Sequence, residues 1–222
     1  MNEQTAEIKN LWRIIGTNDS SILELRAIWP AEVLPTKPSL TKHFKAHDFC
    51  GVDACKAAFE EESLRLNALG YNIYIVMNPI QATFVGTAVK DEDIAYRDLL
   101  LIDIDRTQKA KHPATEEEVE SAKQLADSVV AYLATEGWPD PIRVMSGNGH
   151  HLYYVLPEMA NDVQSKEYVQ RLLKCLAAEF DNEFVKIDTS VFNASRITKV
   201  VGTVARKGLE SEGRPYRMAV VL

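Results

Sequence analysis

The spacing of apolar positions changes period several times along the chain, and each change marks an element. Between residues 53 and 69, Ala54, Ala57, Phe59, Leu64, Leu66 and Leu69 recur at roughly helical intervals, and Gly70 follows as glycine does after a helix C-terminus. YNIYIVM (71–77) is aromatic and β-branched and stops at Asn78-Pro79, which predicts a strand. DLLLIDID (98–105) is an almost unbroken apolar run ending in acids, the pattern of a buried strand that delivers its last side chains to a cleft. Thr115 and Glu118 make a capping box for a helix of about 20 residues. Val119, Ala122, Leu125, Ala126, Val129, Val130 and Leu133 form its apolar face. IRVMS and HHLYYVLP flank Gly147-Asn148-Gly149, a hairpin signal.

A second amphipathic helix is expected over 164–180, with strands around 184–188 and 199–205. Upstream, residues 1–20 read as a polar lead-in, 21–28 as a strand, and WPAEVLPTKPS, with its three prolines, as a loop. Strands and helices mixed without strict βαβ alternation predict an α+β fold. No segment reads as a linker. The expectation is one domain over 1–222 made of two packed lobes, an N-terminal lobe of about 1–97 and a second part of about 98–222. The final MAVVL reads as a strand without a polar tail, which predicts that the chain is part of a longer protein.

With 46% hydrophobic and 26% charged residues, composition adds an ordinary globular protein able to bury a core. No apolar run approaches bilayer length, and MNEQTAEIKN lacks the pattern of a signal peptide. Cys50, Cys55 and Cys175 are too few and too irregular for a disulfide framework, so the cytoplasm is the expected compartment and no membrane partner is expected. A net charge of −7 argues against a broad polyanion-binding surface. The charge is uneven, however. Arg196, Lys199, Arg206, Lys207, Arg214 and Arg217 face only Glu210 and Glu212 within their segment, while acids collect at Glu116–Glu120. A basic cleft, rather than a basic surface, would suffice to grip a small polyanion.

Asp103 and Asp105 alternate with apolar residues, so on a strand both point the same way, about 7 Å apart at Cα. Two adjacent carboxylates repel and resist desolvation unless one is protonated or a cation sits between them. Oxygen ligands select a hard ion such as Mg²⁺ or Mn²⁺. Asp188 follows Phe184-Val185-Lys186-Ile187 in a similar strand-end setting. Three acids can hold two ions about 3.5–4 Å apart, the arrangement of in-line phosphoryl transfer. In SGNGHH (146–151) the glycines allow backbone N–H groups to approach a phosphate closely, or simply make a tight turn. His151 shares a strand face with Tyr153, and His150 points the other way.

LLLIDIDR, SGNGHHLYYVLP and VKIDTSVFNASRITKVVGTVARKG, in that order and spacing, resemble the three motifs of the archaeo-eukaryotic primase superfamily. They are most similar to the primase–polymerases of plasmids, phages and other mobile elements. The hhDhD motif is matched by Asp103 and Asp105, the glycine-rich turn and histidine by Ser146, Gly147, Gly149 and His151, and the third motif by Ile187-Asp188. The R-x-x-(R/K)-x-x-G-T signature is matched by Arg196, Lys199, Gly202 and Thr203. Gly149 departs from the serine of many relatives, and no cysteine-rich zinc insertion is evident. The resemblance covers about residues 70–217. It implies a two-lobed core with an RRM-like sheet, two Mg²⁺ or Mn²⁺ ions on the three aspartates, and a triphosphate held by Ser146, Gly147, Asn148, Gly149, His151, Arg196 and Lys207. It implies single-stranded DNA template and dNTPs or NTPs as partners, with a helicase or other C-terminal domain beyond the chain.

Other readings compete. D-x-D-x-T (Asp103, Asp105, Thr107) after an apolar strand also fits a haloacid-dehalogenase-type phosphatase, although Gln108 stands where that family has an apolar residue. A replication module that binds nucleotide or single-stranded DNA without turnover is the non-enzymatic rival. His43, His47, Cys50 and Cys55 have loose zinc-like spacing, with packing the better reading. The same holds for base stacking by Trp12, Trp29 and Trp138. Tyr153, Tyr154 and Asn78 are candidates for contact with the nucleotide sugar.

Overall fold

The structure is a computed structural model that describes residues 3–31, 33–108 and 111–222. Met1 and Asn2 of the lead-in, Glu32 of the proline-rich loop, Lys109 and Ala110 lie outside the described residues. The lead-in is more structured than its polarity suggests. It forms two short helices, α1 (Glu3–Glu7) and α2 (Leu11–Ile14), and buries Ile8, Leu11, Ile14 and Ile15. Then come β1 (Ile22–Ile28), β2 (Leu40–Lys45), α3 (Val52–Ala68) and β3 (Asn72–Val76). The second half runs β4 (Tyr96–Arg106), α4 (Glu116–Thr135), β5 (Ile142–Met145), β6 (His150–Ala160), α5 (Val163–Phe180) and β7 (Val185–Ile187). It closes with β8 (Ile197–Lys199), β9 (Val204–Ala205), β10 (Arg217–Met218) and β11 (Val220–Val221).

The expected strand over 199–205 is in fact two strands. Gly202 turns the chain between them at φ 75°, and a side chain there would drive into the Ile8 backbone, with Cβ only 2.5 Å from its nitrogen. Strand β2 gave no sequence signal of its own.

The elements make two principal sheets. From β4 to β7 the order is β-α-β-β-α-β, and the antiparallel sheet has the order β11-β5-β6-β4-β7. That is the RRM-like arrangement with one strand added at an edge. Thr115 caps α4 with its hydroxyl and Glu118 returns the bond, as the capping box predicts. Helix α4 packs against β4, β6 and β7 on one face of this sheet, so alternation leaves Asp103 and Asp105 on the other.

The smaller sheet, β2-β1-β3-β8, lies across from that open face. Its fourth strand comes from far along the chain: β8 pairs with β3 through Tyr74↔Lys199 and Val76↔Ile197. The lobe of about 1–97 is thus joined by residues 197–199 of the later part. One continuous core runs from Leu25, Phe59 and Ile73 to Ile102, Leu125, Leu173 and Tyr153, spanning both halves.

Candidate active site

Between the sheets lies a cleft of about 470 Å³. Asp103, Asp105, Ser146, Asn148, His151, Arg196 and Lys207 all line it. Gly147 and Gly149 shape one wall from behind. A side chain at Gly149 would place Cβ 2.2 Å from the Ile104 carbonyl oxygen, and one at Gly147, where φ is 103°, would place it 2.4 Å from Ala205 Cβ. The turn therefore sits tight between β4 and β9 because both residues lack Cβ. Asn148 ties it down, accepting a hydrogen bond from the Ala114 N–H at 2.9 Å.

Register brings the catalytic candidates together. Asp103 stands directly opposite His151, and His151 Nε2 lies 3.3 Å from Asp103 Oδ1. On its other side, His151 Nδ1 is 2.9 Å from the Tyr153 hydroxyl, which in turn contacts the Thr198 hydroxyl of the facing sheet. With Nδ1 engaged by Tyr153, a proton on Nε2 points at Asp103 whether or not Nδ1 also carries one. The imidazole is thus fixed from across the cleft. His150 faces the helices, where burial and then the charge of His151 hold it down at about 4.

The two aspartates experience opposite electrostatics. Burial raises the Asp103 carboxyl, but His151, Arg196 and Lys207 outweigh it and hold the group below the usual carboxylate range. Burial and then the neighbouring Asp103 push Asp105 up to about 6. Both remain open to water through the cleft mouth, with 27% and 40% of their side-chain surface exposed. Among the described residues, Asp105 Oδ1 is buried without a hydrogen-bond partner, and Oδ2 is 3.8 Å from Lys207 Nζ. An orphaned carboxylate oxygen beside a second carboxylate is a good fit for a hard divalent cation.

Asp188 extends the β4–β7 ladder by one rung, donating its N–H to the Asp103 carbonyl at 2.8 Å. Its carboxylate accepts the Ser190 N–H at 2.8 Å within its own turn. Among the described residues, no three His, Cys, Asp or Glu gather closely enough to hold an ion together.

The basic segment divides. Arg214 is bound to Glu118 and Arg217 to Glu116, so two of the six cations serve the α4 N-terminus. Arg196, Lys199, Arg206 and Lys207 line the cleft. Burial, and then the charge of Arg206, pulls the Lys199 amine down to about 7.

Three sugar-contact candidates lie outside the cleft lining. Tyr153 is fully buried and its hydroxyl is already engaged, Tyr154 packs edge-on against Trp138, and the Asn78 amide donates to the Ala194 carbonyl at 2.8 Å. Of the tryptophans, Trp29 alone lines the cleft, whereas Trp12 packs on Phe59. His43 is engaged by Glu24 at 2.8 Å, and Cys55 is buried in α3. Sequence reasoning passed over Asn72 and Tyr74, which also line the cleft. Their signal was available: in YNIYIVM they alternate with Ile73 and Ile75, so a polar and an aromatic side chain share the face opposite two buried isoleucines.

This α+β fold is that of the archaeo-eukaryotic-type primase–polymerases. The AEP domain of the cyanophage S-2L primase–polymerase matches with a TM-score of 0.55 at 18% identity, over 98% of this chain and 88% of that one. The primase RepB' matches with a TM-score of 0.56 at 14% identity; it covers 99% of this chain, which spans 56% of RepB'. The polymerase domain of Mycobacterium tuberculosis Ligase D, solved in complex with DNA, matches with a TM-score of 0.54 at 15% identity, over 96% and 79% of the two chains. Neither the models of known protein families nor the curated protein sequences give a match. Among the described residues, no helix is long and apolar enough to cross a membrane.

Proposed function

We propose that the chain is a DNA-templated nucleotidyltransferase of the primase–polymerase kind, joining dNTPs or NTPs on single-stranded DNA. The observation that carries the reading is the pairing, in one cleft, of two carboxylates, one with an oxygen unpartnered among the described residues, and four basic side chains, of which Lys207 is in a salt bridge with an acid of the site. A cleft charged this way takes up a metal–triphosphate complex, whose negative charge the cations answer.

Asp103 and Asp105 would hold the Mg²⁺ or Mn²⁺ ions, with Asp188 joining by releasing the Ser190 N–H. Bound there, the ions neutralise the triphosphate and activate the attacking hydroxyl. The chain's own residues supply position. Arg196 and Lys207 receive the phosphates, the Ser146–Gly149 turn lets them approach the backbone closely, and His151 is held to one orientation by Tyr153. Attack of the primer 3′-hydroxyl, or of a first nucleotide, on the α-phosphate releases pyrophosphate, and the protein contributes placement and charge with little covalent chemistry.

The test is nucleotide incorporation on single-stranded DNA, with and without a primer, in Mg²⁺ or Mn²⁺. The Asp103→Ala/Asp105→Ala double variant is the control. Metal-dependent products absent from the control support the reading, and products without a primer add priming. Triphosphate binding with no product in either metal favours the non-catalytic module instead. The phosphatase reading draws little from the site, because Thr107 lies outside the cleft lining with its hydroxyl on the Asn182 carbonyl at 3.3 Å.

A further inference from the structure

The segment that carries Arg206 and Lys207 into the cleft is held in an unusual way. In an extended strand, alternate residues present their backbone N–H and C=O to the same edge. One edge of β9 has an ordinary partner, since Ala205 pairs with Arg217 in β10. The other edge, presented by Val204 and Arg206, meets two side-chain amides. Asn67 accepts the Val204 N–H at 2.9 Å and donates to the Val204 carbonyl at 2.9 Å. Asn72 accepts the Arg206 N–H at 2.7 Å and donates to the Arg206 carbonyl at 2.6 Å. Each carboxamide reproduces the donor–acceptor pair of a neighbouring strand. Both asparagines are buried, at 1% and 7% exposure, so these bonds are shielded from competing water.

What the clamp holds is a cation that makes no salt bridge among the described residues, although the charge of Glu210 acts on it. Among the described residues, Arg206 Nη1 is buried with no hydrogen-bond partner, and its guanidinium lies over the Tyr216 ring at 5.9 Å. Lys199 stands beside it in the cleft wall with its amine on the Val204 carbonyl at 3.3 Å. A half-buried guanidinium with one nitrogen unpartnered among the described residues, beside the buried Lys199 amine, favours an anion from outside the chain.

We propose that Asn72 is a positioning residue that fixes the Arg206 backbone so that its guanidinium meets the phosphates of the incoming nucleotide. The inference rests on the triphosphate reading above and adds to it the residue that aims the cation. Asn67 does the same for the start of the strand.

Steady-state incorporation and equilibrium binding of a deoxynucleoside triphosphate with Mg²⁺ would be measured for wild type, Asn72→Ala, Arg206→Ala and the double variant. If Asn72 acts through Arg206, Asn72→Ala raises KM and Kd about tenfold with kcat within about twofold, and the double variant is no worse than Arg206→Ala. Asn72→Ser, which retains one of the two bonds, falls between and serves if the alanine variant does not fold. Unchanged binding in Asn72→Ala or Asn72→Ser overturns the inference, as do additive losses in the double variant, which would mean that Asn72 touches the nucleotide itself. If wild type incorporates nucleotide, these results bear on the inference alone. If wild type neither incorporates nor binds triphosphate, the functional reading falls and takes the inference with it.

Discussion

Asp105 occupies a position that costs the fold and serves the site. Its carboxylate feels the charge of Asp103, one oxygen has no partner among the described residues, and its proton is held to about pH 6 by burial and by that neighbour. Replacing it by asparagine keeps the shape and removes the repulsion. Asp105→Asn is therefore expected to leave the thermal midpoint unchanged or raise it by about 2–4 °C. Metal-dependent incorporation should fall by about 100-fold or more. A lower midpoint with activity retained would contradict the placement of charge described above. Asp103, Asp105 and His151 were legible in the sequence because a strand's two-residue period assigns faces without knowledge of the rest of the fold. Tyr153 was misassigned for the converse reason: what occupies its hydroxyl is Thr198, which lies 45 residues away and on the other sheet.

Among the elements, one tight join is where the glycine turn meets β4. Gly149→Ala would place a methyl carbon 2.2 Å from the Ile104 carbonyl oxygen, which the backbone of a strand paired on both edges cannot yield. The expected cost is about 2–3 kcal/mol in denaturant unfolding, with loss of activity even where the fold survives. A second join is Glu118, which binds Arg106 of β4 at 2.7 Å and Arg214 at 2.9 Å and caps its own helix through Thr115. Burial raises this carboxyl, but the hydrogen bonds from Arg214 and Thr115 and the Arg106 charge hold it down at about 2. Because the folded value lies below the ordinary 4.5, the stability it contributes is present above about pH 4.5 and is lost as pH falls toward 2. Wild type should lose on the order of 2 kcal/mol more than Glu118→Gln across that window, read as thermal midpoint against pH. Equal slopes would show that the clamp contributes nothing. The capping box announced this helix, whereas α1 and α2 escaped notice because helices of five and four residues draw on packing rather than on propensity.

At the scale of the whole molecule, the two halves of the sequence do not correspond to two separable bodies. Strand β8 completes the sheet begun by β1 to β3, Arg97 donates to the Phe192 carbonyl at 2.9 Å, and the Val221 N–H is held by Glu7 at 2.7 Å. Pieces 1–97 and 98–222 made separately are expected to remain unfolded by circular dichroism, and the intact chain to unfold in one transition seen alike by far-ultraviolet and tryptophan signals. Two resolved transitions would refute this. The α+β class and the order of elements were readable from local pattern, but the return of 197–199 to the first sheet was not, since pairing over more than a hundred residues leaves no local period. That return also sets a schedule for the nascent chain. After β3 leaves the ribosome, the strand that pairs with its edge emerges 121 positions later, since Val76 precedes Ile197 by that much. At about 5–20 residues per second the wait is roughly 6–24 s. Throughout it Ile73 and Ile75 lie on an unpaired edge, which makes this stretch of translation the window in which holdase chaperones should be found on the growing polypeptide.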